Sequence, residues 1–165
     1  MAITIEVENL QRRIPINPPP IIRAVKRLLR REGISRARVA VVFVTDSKIR
    51  SLNKKYLKHD HPTDVLSFDY RSFSPHPKNS EISGEIVIST DTAKRNAAFF
   101  KTRDEYELML YVVHGLLHLL GYDDIAPRNR RRMEKKQDEL LAAARKYYGE
   151  DFFSRAVRNG KSRSK

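Results

Sequence analysis

Residues 114–124 read His114-Gly-Leu-Leu-His118-Leu-Leu-Gly121-Tyr-Asp-Asp124, with two histidines four residues apart and a carboxylate six residues after the second. On a helix that spacing puts both imidazoles on one face, one turn apart, so two ring nitrogens can address a single point. Gly121 can adopt the left-handed conformation that ends a helix, letting the chain turn back and bring Asp124 toward the same point. Two imidazoles and one carboxylate form a ligand set for a metal ion, zinc above all, with the fourth tetrahedral position left to water. A bare histidine pair at this spacing reads equally well as two hydrogen-bonded core residues. Here the pair interrupts a segment that is apolar on nearly all sides from Leu108 to Leu120, where uncompensated imidazoles are costly.

The pattern HxxxHxxGxxD is also the ligand spacing of the metzincin zinc peptidases, which carry a glutamate directly after the first histidine as general base. In this chain that position is Gly115. Without the glutamate a peptidase lacks its means of deprotonating the attacking water, so peptide hydrolysis becomes a runner-up reading.

The elements that must position these ligands can be traced by periodicity. Residues 2–7 alternate as a short strand, and the NPPP at 17–20 stops anything before it. A helix is expected over 21–31, with Ile21, Ile22, Val25, Leu28 and Leu29 on one face and Arg23, Lys26, Arg27 and Arg30 on another, ended by Gly33. The β-branched run 38–45 reads as a strand, and Asp46 as the cap of a helix reaching Tyr56. Strands are expected at 64–69 and 84–88, separated by a surface loop rich in Pro, Ser and Asn. Helices follow over 91–100, 104–120 and 128–149, the second buried and the third with Met133, Gln137, Leu140, Leu141, Ala144 and Tyr148 along one face. The fold class is α+β, a single domain over 1–153 with about four strands in a mixed sheet and about five helices. The metal site falls on a buried central helix and the loop after it, and 154–165 reads as a basic, disordered tail.

Composition bounds the partners. There is no cysteine, so thiolate ligands and disulfides are excluded and a reducing cytoplasm is expected. The start MAITIEVENLQRR lacks a signal-peptide pattern, and no apolar run approaches the roughly 18 residues that cross a bilayer. The formal charge is +13, concentrated in two blocks: residues 12–38 carry nine Lys/Arg against one acid, and residues 128–165 thirteen against five. Such blocks favour a polyanion, because every lysine or arginine that displaces a phosphate counterion strengthens binding.

Three segments, HGLLHLLGYDD at 114–124, HPTDVLSF at 61–68 and GEIVIS at 84–89, stand in an order that resembles the YbeY-type endoribonucleases of ribosomal RNA maturation, over about residues 36–149. The resemblance implies a metal-dependent hydrolase fold with one zinc per chain on His114, His118 and Asp124. It also implies cleavage of single-stranded RNA, notably at the 3′ end of small-subunit rRNA, with rRNA and ribosomal particles as partners. Two departures stand out. The family's third ligand is normally histidine, and its register places Asp123 at a non-ligand acid and Asp124 at the ligand. An anionic ligand lowers the formal charge of the site from +2 to +1, which weakens polarisation of a bound water. The family's arginine before the PTDVLSF-like segment corresponds here to Leu57, for which Lys58, His59 or His61 are candidate substitutes. His114 and Lys58 are thus the catalytic candidates, and Arg23, Arg27, Arg30, Arg130 and Arg131 the candidate RNA contacts, with Arg128 and Arg132 beside them. A rival class is a ribosome assembly factor without catalysis, in which the metal staples the last two helices.

Overall fold

The computed structural model describes residues 2–73 and 81–148. Four strands, β1 (Ile3–Asn9), β2 (Arg36–Val44), β3 (Val65–Asp69) and β4 (Glu81–Ser89), form one sheet in the order β1-β2-β4-β3. The first three in that order run parallel, with Ile5 opposite Val39 and Val41 opposite Ile86, while β3 runs antiparallel to β4 with Val65 opposite Ile88. The sheet is therefore mixed, as expected. The long crossovers that parallel pairing demands are helical: α1 (Pro18–Arg31) joins β1 to β2, and α2 (Asp46–Leu57) leads from β2 toward β3. After β4 come α3 (Thr90–Phe100), α4 (Asp104–Leu119) and α5 (Pro127–Tyr148).

Several boundaries differ from those expected, each for a local reason. The prolines belong to α1 and begin it: Asn17 is extended, and Pro18, Pro19 and Pro20 occupy the first turn, where the missing N–H groups have no helical acceptor to lose. The cap of α2 is Thr45, whose Oγ1 accepts from Lys48 N–H at 3.3 Å, and not Asp46. Asp46 instead points toward α3, where Ser89 Oγ, Thr92 Oγ1 and Arg95 donate to its carboxylate. Burial by itself would raise the pKa of Asp46, but these donors, Arg95 foremost, together outweigh it and hold the carboxyl below its ordinary value. β4 starts three residues before the expected 84, because Glu81, Ile82 and Ser83 pair with Arg36, Ala37 and Arg38 of β2. The expected tail at 154–165 and part of the 71–83 loop lie outside the described residues.

One face of the sheet carries the main core. There α1 and α4 pack over Ile3, Ile5, Val39, Val41, Phe43, Ile86 and Ile88, and α5 packs in turn against those two helices. Among the described residues the opposite face is covered by α2, through Ile49 and Leu52 against Val42, Val44, Leu66 and Val87. Eleven of the sixteen residues of α4 are buried, including Leu108, Met109, Tyr111, Leu116 and Leu117. At about 1.5–3 kcal/mol for each large apolar side chain fully removed from water, this helix is anchored too firmly to shift as a unit. Arg71 ties down its C-terminal end, donating to the Leu119 carbonyl at 2.7 Å while paired with Asp69. No helix among the described residues is long and apolar enough to cross a membrane.

Candidate metal centre

His114 and His118 lie one turn apart on the edge of α4 that the core leaves half-exposed, rings 4.8 Å apart and nearly perpendicular. α4 ends as its sequence anticipates. Gly121 takes φ +97°, its N–H donates to the His118 carbonyl at 3.1 Å, and Tyr122 N–H reaches the Leu117 carbonyl at 3.0 Å. This pair of bonds is the Schellman closure of a helix, and it requires the left-handed residue that glycine supplies. The same reversal brings Asp124 back over the histidines.

The three side chains meet at one point. The Nε2 atoms of His114 and His118 are 3.2 Å apart, and Asp124 Oδ2 lies 3.5 Å from the first and 3.8 Å from the second. Metal–ligand bonds of about 2.0–2.1 Å at tetrahedral angles require ligand atoms about 3.3 Å apart, so the trio matches one face of a zinc-sized tetrahedron. Asp123 is excluded from that face: its Oδ1 accepts from Ile125 N–H at 2.8 Å, and it lines a cavity on the other side of the loop.

The outer nitrogens of the rings explain why the inner ones can act as ligands. His118 Nδ1 is 3.2 Å from the Tyr122 carbonyl, which can only accept, so Nδ1 carries the proton and Nε2 its lone pair. His114 Nδ1 donates in the same sense to Gln137 Oε1 at 2.8 Å. Two lone pairs 3.2 Å apart do not bond each other, and a cation between them resolves that opposition. Burial, and then the neighbouring His114, hold the pKa of His118 below its ordinary value, which keeps the ring neutral and ready to coordinate.

Gly115 has a definite structural use. A Cβ there would come 2.5 Å from Ile86 Cγ2 and 3.1 Å from Ser67 Oγ, and Ser67 donates to the Gly115 carbonyl at 2.9 Å. The position faces the sheet at close approach and has no room for a carboxylate, so the glutamate base of a zinc peptidase could not be housed there.

Two of the trio, His114 and Asp124, line an open cleft of about 200 Å³ together with Asp64, Arg130, Glu134 and Gln137. Asp64 is held in place, its Oδ1 accepting from Val65 N–H at 2.8 Å. Three of these residues, Asp64, Glu134 and Gln137, were not singled out for the site from the sequence. Gln137 left a signal, being the polar member of the buried α5 stripe, and Asp64 stands inside the HPTDVLSF segment. Of the five arginines considered for RNA, Arg130 reaches this cleft. Arg23, Arg27 and Arg30 line the outer face of α1, and Arg131 is exposed on α5. Lys58 ends α2 in the left-handed region at φ 59°, exposed and outside the cleft. Leu57 opens onto a groove of about 640 Å³ on the α2 face of the sheet, so the position where the resemblance expects an arginine does not border the cleft of His114 and Asp124.

Comparison with known proteins identifies the family and the fold. A family model described as endoribonuclease YbeY matches residues 6–145, beginning well before the motif-bearing region. Curated proteins named endoribonuclease YbeY are 35% identical over 143 residues in Syntrophus aciditrophicus, covering 86% of this chain and 89% of the relative. In Chlorobium luteolum one is 36% identical over 137 residues, covering 83% and 95%, and in Salinibacter ruber 42% identical over 116 residues, covering 68% and 73%. A solution structure of a Thermotoga maritima protein superposes with a TM-score of 0.66 at 24% identity, covering 98% of this chain and 100% of that one, which establishes the likeness of fold.

Proposed function

Because this chain belongs to the endoribonuclease YbeY family, we propose that it is a zinc-dependent, single-strand-specific endoribonuclease acting at the 3′ end of small-subunit rRNA during ribosome maturation in the cytoplasm. The observation that carries the reading is the convergence of His114 Nε2, His118 Nε2 and Asp124 Oδ2 beside an open cleft. The absence of cysteine fits a reducing compartment, and the charge of +13 fits an RNA partner. One zinc per chain would be held by these three ligands, where it would polarise the scissile phosphate and lower the pKa of a water.

The chain's own residues supply the rest. Gln137 and the Tyr122 carbonyl keep both imidazole protons on Nδ1, pointing away from the cleft. Asp124, anionic where a third imidazole would be neutral, makes the centre less electrophilic. RNA must therefore be drawn in by cations around the centre, and the arginines of α1 and α5, Arg23, Arg27, Arg30, Arg130 and Arg131, form the proposed backbone track. Lys58, outside the cleft, is assigned no part at the reacting phosphate.

The test compares zinc-loaded protein with its His114→Ala variant on labelled single-stranded RNA, duplex RNA and casein. Wild type cuts the single strand alone, and the variant is inactive. Equal decay of RNA in both preparations would remove the nuclease reading, since a contaminant would then account for it.

A further inference from the structure

Resting on the RNA-cleaving reading, the site needs a cation against the phosphate beside the metal, and Leu57 cannot be one. We propose that Arg130 holds that phosphate. Four observations converge on it. Arg130 is the one lysine or arginine among the described residues that line the cleft with His114 and Asp124. Its guanidinium makes no ion pair among the described residues, whereas Arg13, Arg36, Arg50, Arg71 and Arg95 are each committed to a carboxylate. The carboxylates of Asp64 and Asp124 also line the cleft, and their charge opposes a phosphodiester unless a cation compensates it.

The fourth observation is the placement of the arginine. Arg130 stands in the first turn of α5, which contains no acid, with Arg131 and Arg132 directly after it. Positive side chains at the positive end of a helix dipole are unfavourable, so this cluster weakens its own helix unless an anion binds against it. The backbone N–H of Arg130 donates to the Ala126 carbonyl at 2.8 Å, which fixes the residue at the start of the helix, next to the loop that carries Asp124. A guanidinium anchored there can present two parallel donors to two phosphate oxygens, which lysine cannot do.

The experiment measures binding of a fluorescein-labelled, 2′-O-methylated single-stranded RNA octamer to the zinc-loaded full chain by anisotropy, with zinc content determined for each variant. Arg130→Gln is expected to bind about 10- to 100-fold more weakly, as for a lost charge-assisted pair. Arg130→Lys should fall between it and wild type, and all variants should retain their zinc. Arg145→Gln, which removes the same charge from the exposed last turn of α5, should stay within about twofold of wild type. Removing zinc should shrink the gap between wild type and Arg130→Gln, because metal and guanidinium grip the same phosphate. A loss no larger than that of Arg145→Gln, a gap unchanged without zinc, or loss of zinc from Arg130→Gln would each overturn the assignment. Zinc- and Arg130-dependent binding with no cleavage of unmodified RNA by wild type would keep this assignment and remove the nuclease reading. Cleavage indifferent to Arg130→Gln would do the reverse.

Discussion

Gln137→Leu tests whether the metal-binding tautomer of His114 is set from outside the ligand trio. Gln137 is 7% exposed on α5, with Oε1 2.8 Å from His114 Nδ1. Leucine keeps the bulk of the side chain and removes the acceptor. If the ring keeps its proton on Nδ1, that buried donor is left unsatisfied at about 1–3 kcal/mol. The metal-free ring has an escape: it can shift the proton to Nε2 and donate toward His118 Nε2 at 3.2 Å or Asp124 Oδ2 at 3.5 Å. That tautomer has no Nε2 lone pair for a metal, so the cost moves from folding into metal affinity. Zinc binding, followed by competition with a chromophoric chelator at neutral pH, is expected to weaken about 10- to 100-fold, or about 1.4–2.8 kcal/mol. The urea stability of the metal-free protein should change by less than about 1 kcal/mol. Gln137→Glu retains an acceptor, and a stronger one, and should bind zinc at least as tightly as wild type. A folded Gln137→Leu protein that binds zinc within about twofold of wild type would refute the reasoning, as would a Gln137→Glu protein as weak as the leucine variant.

The remaining predictions concern packing, ligand charge and one phenol. Gly115→Ala gains about 1 kcal/mol of helix propensity but drives a methyl to 2.5 Å from Ile86 Cγ2, an overpacking cost of about 1–3 kcal/mol; urea unfolding should show a net loss. Gly115→Glu should gain no activity on casein, and casein cleavage would contradict the sheet-facing geometry. Asp124→His restores a three-imidazole set and should move the pH–rate profile for RNA cleavage to lower pH; an unchanged or alkaline-shifted profile counts against the charge argument. Burial, and then the hydrogen bond its hydroxyl donates to Glu85 at 2.7 Å, push the Tyr70 phenol up from its ordinary 10.0 to about 12. A raised folded-state pKa means stability that is present below pH 10 and lost as pH rises toward 12, so Tyr70→Phe should lose less stability across that window than wild type.

What the sequence by itself determined is the part governed by short-range geometry. His114 and His118 share a face because four residues make about one helical turn, and Gly121 reverses the chain because it has no Cβ, so the convergence of His114, His118 and Asp124 was legible within eleven residues. The apolar stripes of α1, α4 and α5 were legible for the same reason, and they account for the helix-covered core. The start of α1 at the prolines was missed for a local reason, since they occupy its first turn, whereas the roles of Asp46 and Glu81 depend on partners distant in the chain, the donors at the start of α3 and the β2 edge. Only the tertiary structure decided what surrounds the trio. Gln137 reaches His114 across 23 positions, Asp64 comes from the start of β3, and Arg130 enters the cleft while the arginines of α1 do not. It also decided that position 115 faces the sheet and position 57 the opposite groove, because which side of a helix or strand is covered is set by the packing of remote elements and not by the local spacing of residues.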